Sequence, residues 1–269
     1  MLYGARGGRV EIGTTDMDYL VFGQGPRTLI LLPGLSDGLR TVRGMAVPMA
    51  AAYRAYAKRF RVYVFSRKNE LEPDSSTQSM ARDLSQAMEA LGIGRACVMG
   101  VSQGGMIAQY LAAGHPDQVE RLVLAVTLCC PNETVQEAVG RWIQMAEAGD
   151  YRGIVADTAE RSYSEDYLRR KKLRLLYPLL GLVGKPKSFR RFLIQANACL
   201  GHDASGVLGQ IRCPVLVLGG GADRIVGGQS SAELAARIPG SRLVVYEGLS
   251  HGAYEETPEF DREVLDFLC

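Results

Sequence analysis

Six short apolar runs, separated by stretches of helical periodicity, constrain this chain more than any other feature. Residues 28–32, 62–65, 96–99, 122–126, 215–218 and 243–246 each have strand length and β-rich composition. Several are apolar at consecutive positions instead of alternating, the pattern of a strand buried on both faces. Between them, 77–91 carries Met80, Leu84, Ala87, Met88 and Leu91 at helical spacing, with Gly92 as a stop. Residues 231–238 and 258–268 read the same way. Strand alternating with helix predicts an α/β fold built on a mostly parallel, doubly wound sheet.

Two segments depart from the alternation. Residues 10–12 and 19–22, joined through Gly13-Thr14-Thr15-Asp16, predict an N-terminal antiparallel hairpin. Residues 131–202 are helix-like and strand-poor. They carry the basic run Arg169-Arg170-Lys171-Lys172-Leu173-Arg174 and a second group at Lys185, Lys187, Arg190 and Arg191. This stretch is expected to be a helical cap inserted within a single domain of residues 1–269. A chain of 269 residues suffices for one large α/β domain.

The charge balance narrows the partners. With 31 basic against 29 acidic residues, the net charge of +2 argues against a nucleic-acid binder. The longest apolar stretches, such as 122–130, fall well short of the ~18 residues needed to span a bilayer. Met1-Leu2-Tyr3-Gly4-Ala5-Arg6 lacks the apolar centre of a signal peptide. No membrane association and a cytoplasmic location are therefore expected. The six cysteines (Cys97, Cys129, Cys130, Cys199, Cys213, Cys269) form no C-x-x-C pair and read as reduced thiols. Three scattered histidines do not advertise a metal site.

The chemistry is concentrated at Gly100-Val101-Ser102-Gln103-Gly104, between the run 96–99 and a helix-like stretch at 106–112. A nucleophile on a tight strand-to-helix turn adopts a strained backbone, so small residues are needed two positions before and after it. That turn also sets the hydroxyl at a helix N-terminus, where backbone N–H groups favour developing negative charge. A serine needs a base, and elimination among three histidines selects one. His115 ends the helix after the turn and should lie far away. His202, beside Asp203, closes the cap. His251 follows the run 243–246, at a strand's C-terminal end where ligand sites gather. Asp223 follows 215–218 through Gly219-Gly220-Gly221-Ala222 and is the predicted acid. Asp203, Glu247 and Glu255 fit that role less well by position.

The order Ser102, Asp223, His251 resembles that of the α/β-hydrolase fold family. So do the segments Leu32-Pro33-Gly34-Leu35, Asp223-Arg224-Ile225-Val226 and Ser250-His251-Gly252. The resemblance extends over essentially the whole chain and is nearest to 3-oxoadipate enol-lactonase and carboxylesterase-like serine hydrolases. It implies an oxyanion hole from the backbone N–H groups of Gln103 and Leu35, although Pro33-Gly34 stands where His-Gly is common. The expected activity is hydrolysis of a small-molecule carboxylic ester or lactone through an acyl-enzyme, with no cofactor and no metal. C–C bond hydrolysis of a diketone with the same triad, or a hydrolase-fold ligand sensor, are the alternatives. The basic cap residues, Arg190 and Arg191 among them, would favour an anionic substrate if they faced the site.

Overall fold

The computed structural model describes residues 2–182 and 184–269. Its strands are β1 (Arg6–Ile12), β2 (Thr15–Phe22), β3 (Arg27–Leu32), β4 (Phe60–Lys68), β5 (Ala96–Val101), β6 (Val119–Ala125), β7 (Val215–Gly220) and β8 (Arg242–Tyr246). Its helices are α1 (Ala46–Ala52), α2 (Arg54–Ala57), α3 (Thr77–Ala90), α4 (Gln103–Gly114), α5 (Glu133–Glu147) and α6 (Tyr151–Ser162), followed by α7 (Glu165–Arg170), α8 (Leu173–Leu180), α9 (Arg190–Leu200), α10 (Ser230–Ala236), α11 (Ala253–Glu256) and α12 (Pro258–Leu268).

The eight strands form one sheet in the order β1-β2-β4-β3-β5-β6-β7-β8. β1 and β2 pair antiparallel, as do β2 and β4; every later pairing is parallel. The predicted α/β class and N-terminal hairpin are therefore present. The hairpin is tighter than expected: Ile12 pairs with Thr15, leaving only Gly13 and Thr14 in the turn, with Gly13 at φ 61°. Positive φ there is what a two-residue hairpin turn demands.

Continuous apolarity has the predicted cause. Along β5 all six residues are buried. Ala96 and Val98 enter one core with Met80 and Leu84 of α3 and Ile107 of α4. Cys97, Met99 and Val101 enter the other, with Ala50 of α1 and Phe260 and Val264 of α12. Ser76 caps α3 through a reciprocal bond with Ser79, and Gly92 at φ 66° ends it.

Helices α5 to α9 lie in the chain between β6 and β7, which are direct neighbours in the sheet. Trp142, Ile154 and Phe192 from this helical segment build a third apolar cluster against Leu35, Met106 and Ile225. That cluster sits at the ends of β3, β5 and β7. Because β4 leaves β3 on one side and β5 lies on the other, the loops after β3 and β5 diverge. Such a switch point opens a crevice at the strand ends. No described helix is long and apolar enough to cross a membrane.

Candidate active site

The turn after β5 has the strain that the sequence anticipates. Ser102 sits at φ 55°, ψ −121°, between the last strand residue and the first helical residue. Holding a non-glycine residue there costs about 1–3 kcal/mol. The flanking glycines are sterically required: a Cβ at Gly100 would strike the Gly104 carbonyl, and one at Gly104 would strike the Leu32 carbonyl. Both obstacles are backbone and cannot rotate away. Gly104→Ala is accordingly expected to lower the unfolding free energy by roughly 3 kcal/mol, measured by urea denaturation at constant m-value.

Two neighbours of this turn were not legible beforehand. Val126, the residue after β6, stands at φ 44°, an outlier for a β-branched residue. The run 122–126 suggested that Val126 would continue the strand; instead its N–H bonds to Leu218 and the chain turns. Thr127 then donates its hydroxyl to the Ser102 carbonyl at 2.8 Å. The N–H of Ser102 donates to Ala125 at 2.9 Å, so both ends of the serine's backbone are held from β6.

Asp223 and His251 meet. The carboxylate Oδ2 lies 2.8 Å from His251 Nδ1, with both side chains almost wholly buried. The other oxygen, Oδ1, accepts the N–H groups of Ile225 and Val226 at 2.8 and 2.9 Å. A loop-capping aspartate and an imidazole partner are thus the same residue, one role per oxygen. With Nδ1–H donated to the acid, Nε2 is the ring nitrogen left to accept.

Ser102, His251, Gly34 and Leu35 line one cavity of about 490 Å³. A Cβ on Gly34 would stand 3.2 Å from the Ser102 Cβ, so glycine lets the loop approach the serine closely. Leu35 and Gln103 each begin a helical turn, 35–38 and α4 respectively. The first N–H groups of a helix have no intrahelical acceptor. The Gln103 side chain points elsewhere: its amide donates to the Gln195 carbonyl at 2.8 Å and to Cys199 Sγ at 3.2 Å, fastening α9 to α4.

The other histidines lie outside this cavity's wall. His115 Nδ1 contacts Ser85 Oγ at 3.1 Å. His202 is fully buried against Thr77 Oγ1 at 2.9 Å, and burial pushes its pKa down to about 4.

The basic run at 169–174 is the solvated helix face that such runs usually are, and it does not face the site. None of the basic residues singled out in the sequence lines the cavity. Arg169 and Arg170 pair with Asp166, and Arg174 with Glu160 and Glu165, on the exposed surface. Arg190 is exposed in a separate depression. Arg191 reaches inward instead, bonding Asp37 Oδ2 at 2.7 Å and the Arg67 carbonyl at 2.9 Å. Arg67, also buried, donates to the Pro33 carbonyl at 2.6 Å and, through its N–H, to Asp37 Oδ2 at 3.1 Å. Burial alone would raise the pKa of the Asp37 carboxyl, but Arg191 and Arg67 hold it below the usual carboxylate range. Burial drags Arg67 the other way, against the pull of Asp37; a guanidinium is basic enough to stay charged nonetheless. This cluster braces the loop 33–37 from behind. Charged residues in the sequence gave no sign of it because their partners are far apart in the chain.

The chain is 27% identical to the "Putative carbamate hydrolase RutD" of Caulobacter sp. (strain K31), over 96% of this chain and 98% of that one. It is 25% identical to the "2-hydroxy-6-oxononadienedioate/2-hydroxy-6-oxononatrienedioate hydrolase" of Paraburkholderia xenovorans, covering 96% of this chain and 92% of that one. Among solved structures, the enol-lactonase from Burkholderia xenovorans superposes with a TM-score of 0.79 at 22% identity, over 97% of this chain and 99% of that one. Residues 29–260, from the start of β3 into α12, match the alpha/beta hydrolase family. With the sheet order, the crevice and that match in agreement, the chain belongs to the alpha/beta hydrolase family.

Proposed function

We propose that the protein is a serine hydrolase that cleaves a small carboxylic ester or lactone through an acyl-enzyme. The observation that carries this reading is the 2.8 Å bond between Asp223 and His251, whose ring lines the cavity that also holds the strained Ser102. In the proposed reaction Ser102 Oγ attacks the carbonyl carbon as His251 Nε2 takes its proton. Asp223 stabilises the imidazolium, and the N–H groups of Leu35 and Gln103 receive the oxyanion. His251 then returns the proton to the departing alcohol, and water, deprotonated by the same nitrogen, releases the acid.

The relatives' names cover a carbamate, a 2-hydroxy-6-oxo dienedioate and an enol-lactone. The fold hosts several bond types, and substrate identity is a property of the cavity wall. The test is rapid quenching with a p-nitrophenyl ester followed by peptide mass spectrometry. A mass increase of one acyl group on the Ser102 peptide is expected during turnover. Turnover with no adduct at Ser102 at any quench time would overturn the acyl-enzyme.

A further inference from the structure

Glu255 is a carboxyl group that the proposed reaction leaves without a task. It lies on α11, four residues beyond His251, and lines the same cavity as Ser102 and His251. Its surface is open, while protein crowds it closely enough that burial raises its pKa above the ordinary carboxyl range. Its exposed surface is on the wall of the cavity.

Five tyrosines surround it. The Tyr163 hydroxyl donates to Oε2 at 2.6 Å, and the Tyr167 hydroxyl lies 3.4 Å from its backbone oxygen. Tyr53, Tyr177 and Tyr254 are each pushed up in pKa by burial first and by the charge of Glu255 as well. These three share the cavity wall with it. No basic side chain among the described residues offsets its burial. Arg40, which lines the same cavity, forms no ion pair with it.

A carboxyl group without a counter-charge, open to a cavity and ringed by aromatic side chains, has the chemistry of an ammonium site. Ring quadrupoles attract cations, most strongly where water is excluded. A bare metal ion would need several oxygen ligands, which one carboxylate does not supply. A substituted ammonium is weakly hydrated and suits aromatic walls. Its arrival also supplies the positive charge whose absence makes burying Glu255 costly.

We propose that Glu255, Tyr53, Tyr177 and Tyr254 form a subsite for a substituted ammonium group, so that the preferred substrate carries a cation near its scissile carbonyl. The cleavage of such a substrate rests on the serine-hydrolase reading above; binding of the cation does not.

The test compares butyrylcholine with its neutral carbon isostere, 3,3-dimethylbutyl butyrate, in wild type and in Glu255→Gln. The wild type is expected to favour the cationic ester at least tenfold in kcat/KM, and Glu255→Gln to bring the ratio near one. Tyr53→Leu, which leaves the Glu255–Tyr163 bond in place, is expected to lower the ratio several-fold and guards against misfolding of the first variant. Binding is read separately from the fluorescence of Trp142, the sole tryptophan, which stands on the same wall. Choline should bind wild type at least tenfold more tightly than its carbon isostere 3,3-dimethylbutanol, and Glu255→Gln should lose that difference. If neither ester is cleaved but the fluorescence difference appears and depends on Glu255, the subsite stands and the hydrolase reading fails. Equal binding of cation and isostere by wild type, or a difference unchanged in both variants, overturns the proposal while leaving ester hydrolysis at Ser102 untouched.

Discussion

Ser102→Ala is expected to reduce kcat toward any substrate the wild type turns over by about 10⁴- to 10⁶-fold, with the unfolding midpoint nearly unchanged. The size follows from the proposed role of Ser102 Oγ, which is to form the acyl bond. What would remain is the cavity and the proposed oxyanion donors, the N–H groups of Leu35 and Gln103, which account for a small residual rate. Stability should hold because the serine's Oγ makes no hydrogen bond to the protein among the described residues, whereas its backbone is held by Ala125 and Thr127. Asp223→Asn is expected to be nearly as severe. The amide would still meet the N–H groups of Ile225 and Val226 only by turning its oxygen toward them. Its NH₂ would then face His251 Nδ1 and favour the wrong tautomer. The double variant Ser102→Ala/Asp223→Asn should be no slower than Ser102→Ala alone, because groups acting as one unit do not add. Steady-state kinetics on the three proteins would show independent contributions if the losses multiplied.

The second large effect concerns stability. Asp37→Ala is expected to cost about 3–5 kcal/mol, the range for breaking a buried ion pair from one side. Asp37 is inaccessible, and the loss would strand two guanidinium groups, those of Arg67 and Arg191, in the same interior. Its folded-state pKa is depressed, so the stabilisation is complete above the ordinary carboxylate range. It is lost as pH falls through the lower, folded value. Wild type should therefore lose stability as the pH drops below about 4, and Asp37→Ala should show a shallower decline over that interval. Guanidinium denaturation at several pH values measures both. An identical acid slope in the two proteins would mean that the carboxylate contributes nothing through its charge. Because Arg67 also holds the Pro33 carbonyl, the same variant should slow turnover by displacing the loop that presents Leu35.

The contrast between these two sites explains how far the sequence could be read. The positions of Ser102, Asp223 and His251 at strand ends are legible because each is bracketed by local signals: an apolar strand before it, small residues around it, and a place at a strand's C-terminal end. The strands themselves were visible because burial on both faces leaves an unbroken apolar record, as in 96–101. Val126 is not legible because nothing local distinguishes a valine just past a strand from one that continues it; its N–H still bonds to Leu218 of β7 while its φ is positive. Arg191 was misread for the related reason that basic side chains on a helix look alike in sequence. Only the folded chain shows that Arg191 turns inward to Asp37, 154 residues away, while Arg190 beside it stays in solvent. Glu255 was weighed only as a rival acid, and its tyrosine surroundings come from segments up to 202 positions distant.

Labelling with a fluorophosphonate, which reacts with an activated serine and with ordinary serines hardly at all, tests the arrangement most directly. One equivalent should attach per chain, on the peptide containing Ser102, and His251→Ala should slow attachment by several orders of magnitude. Labelling at a different serine, or an equal rate in the His251 variant, would contradict the claim that Ser102 is driven by that imidazole.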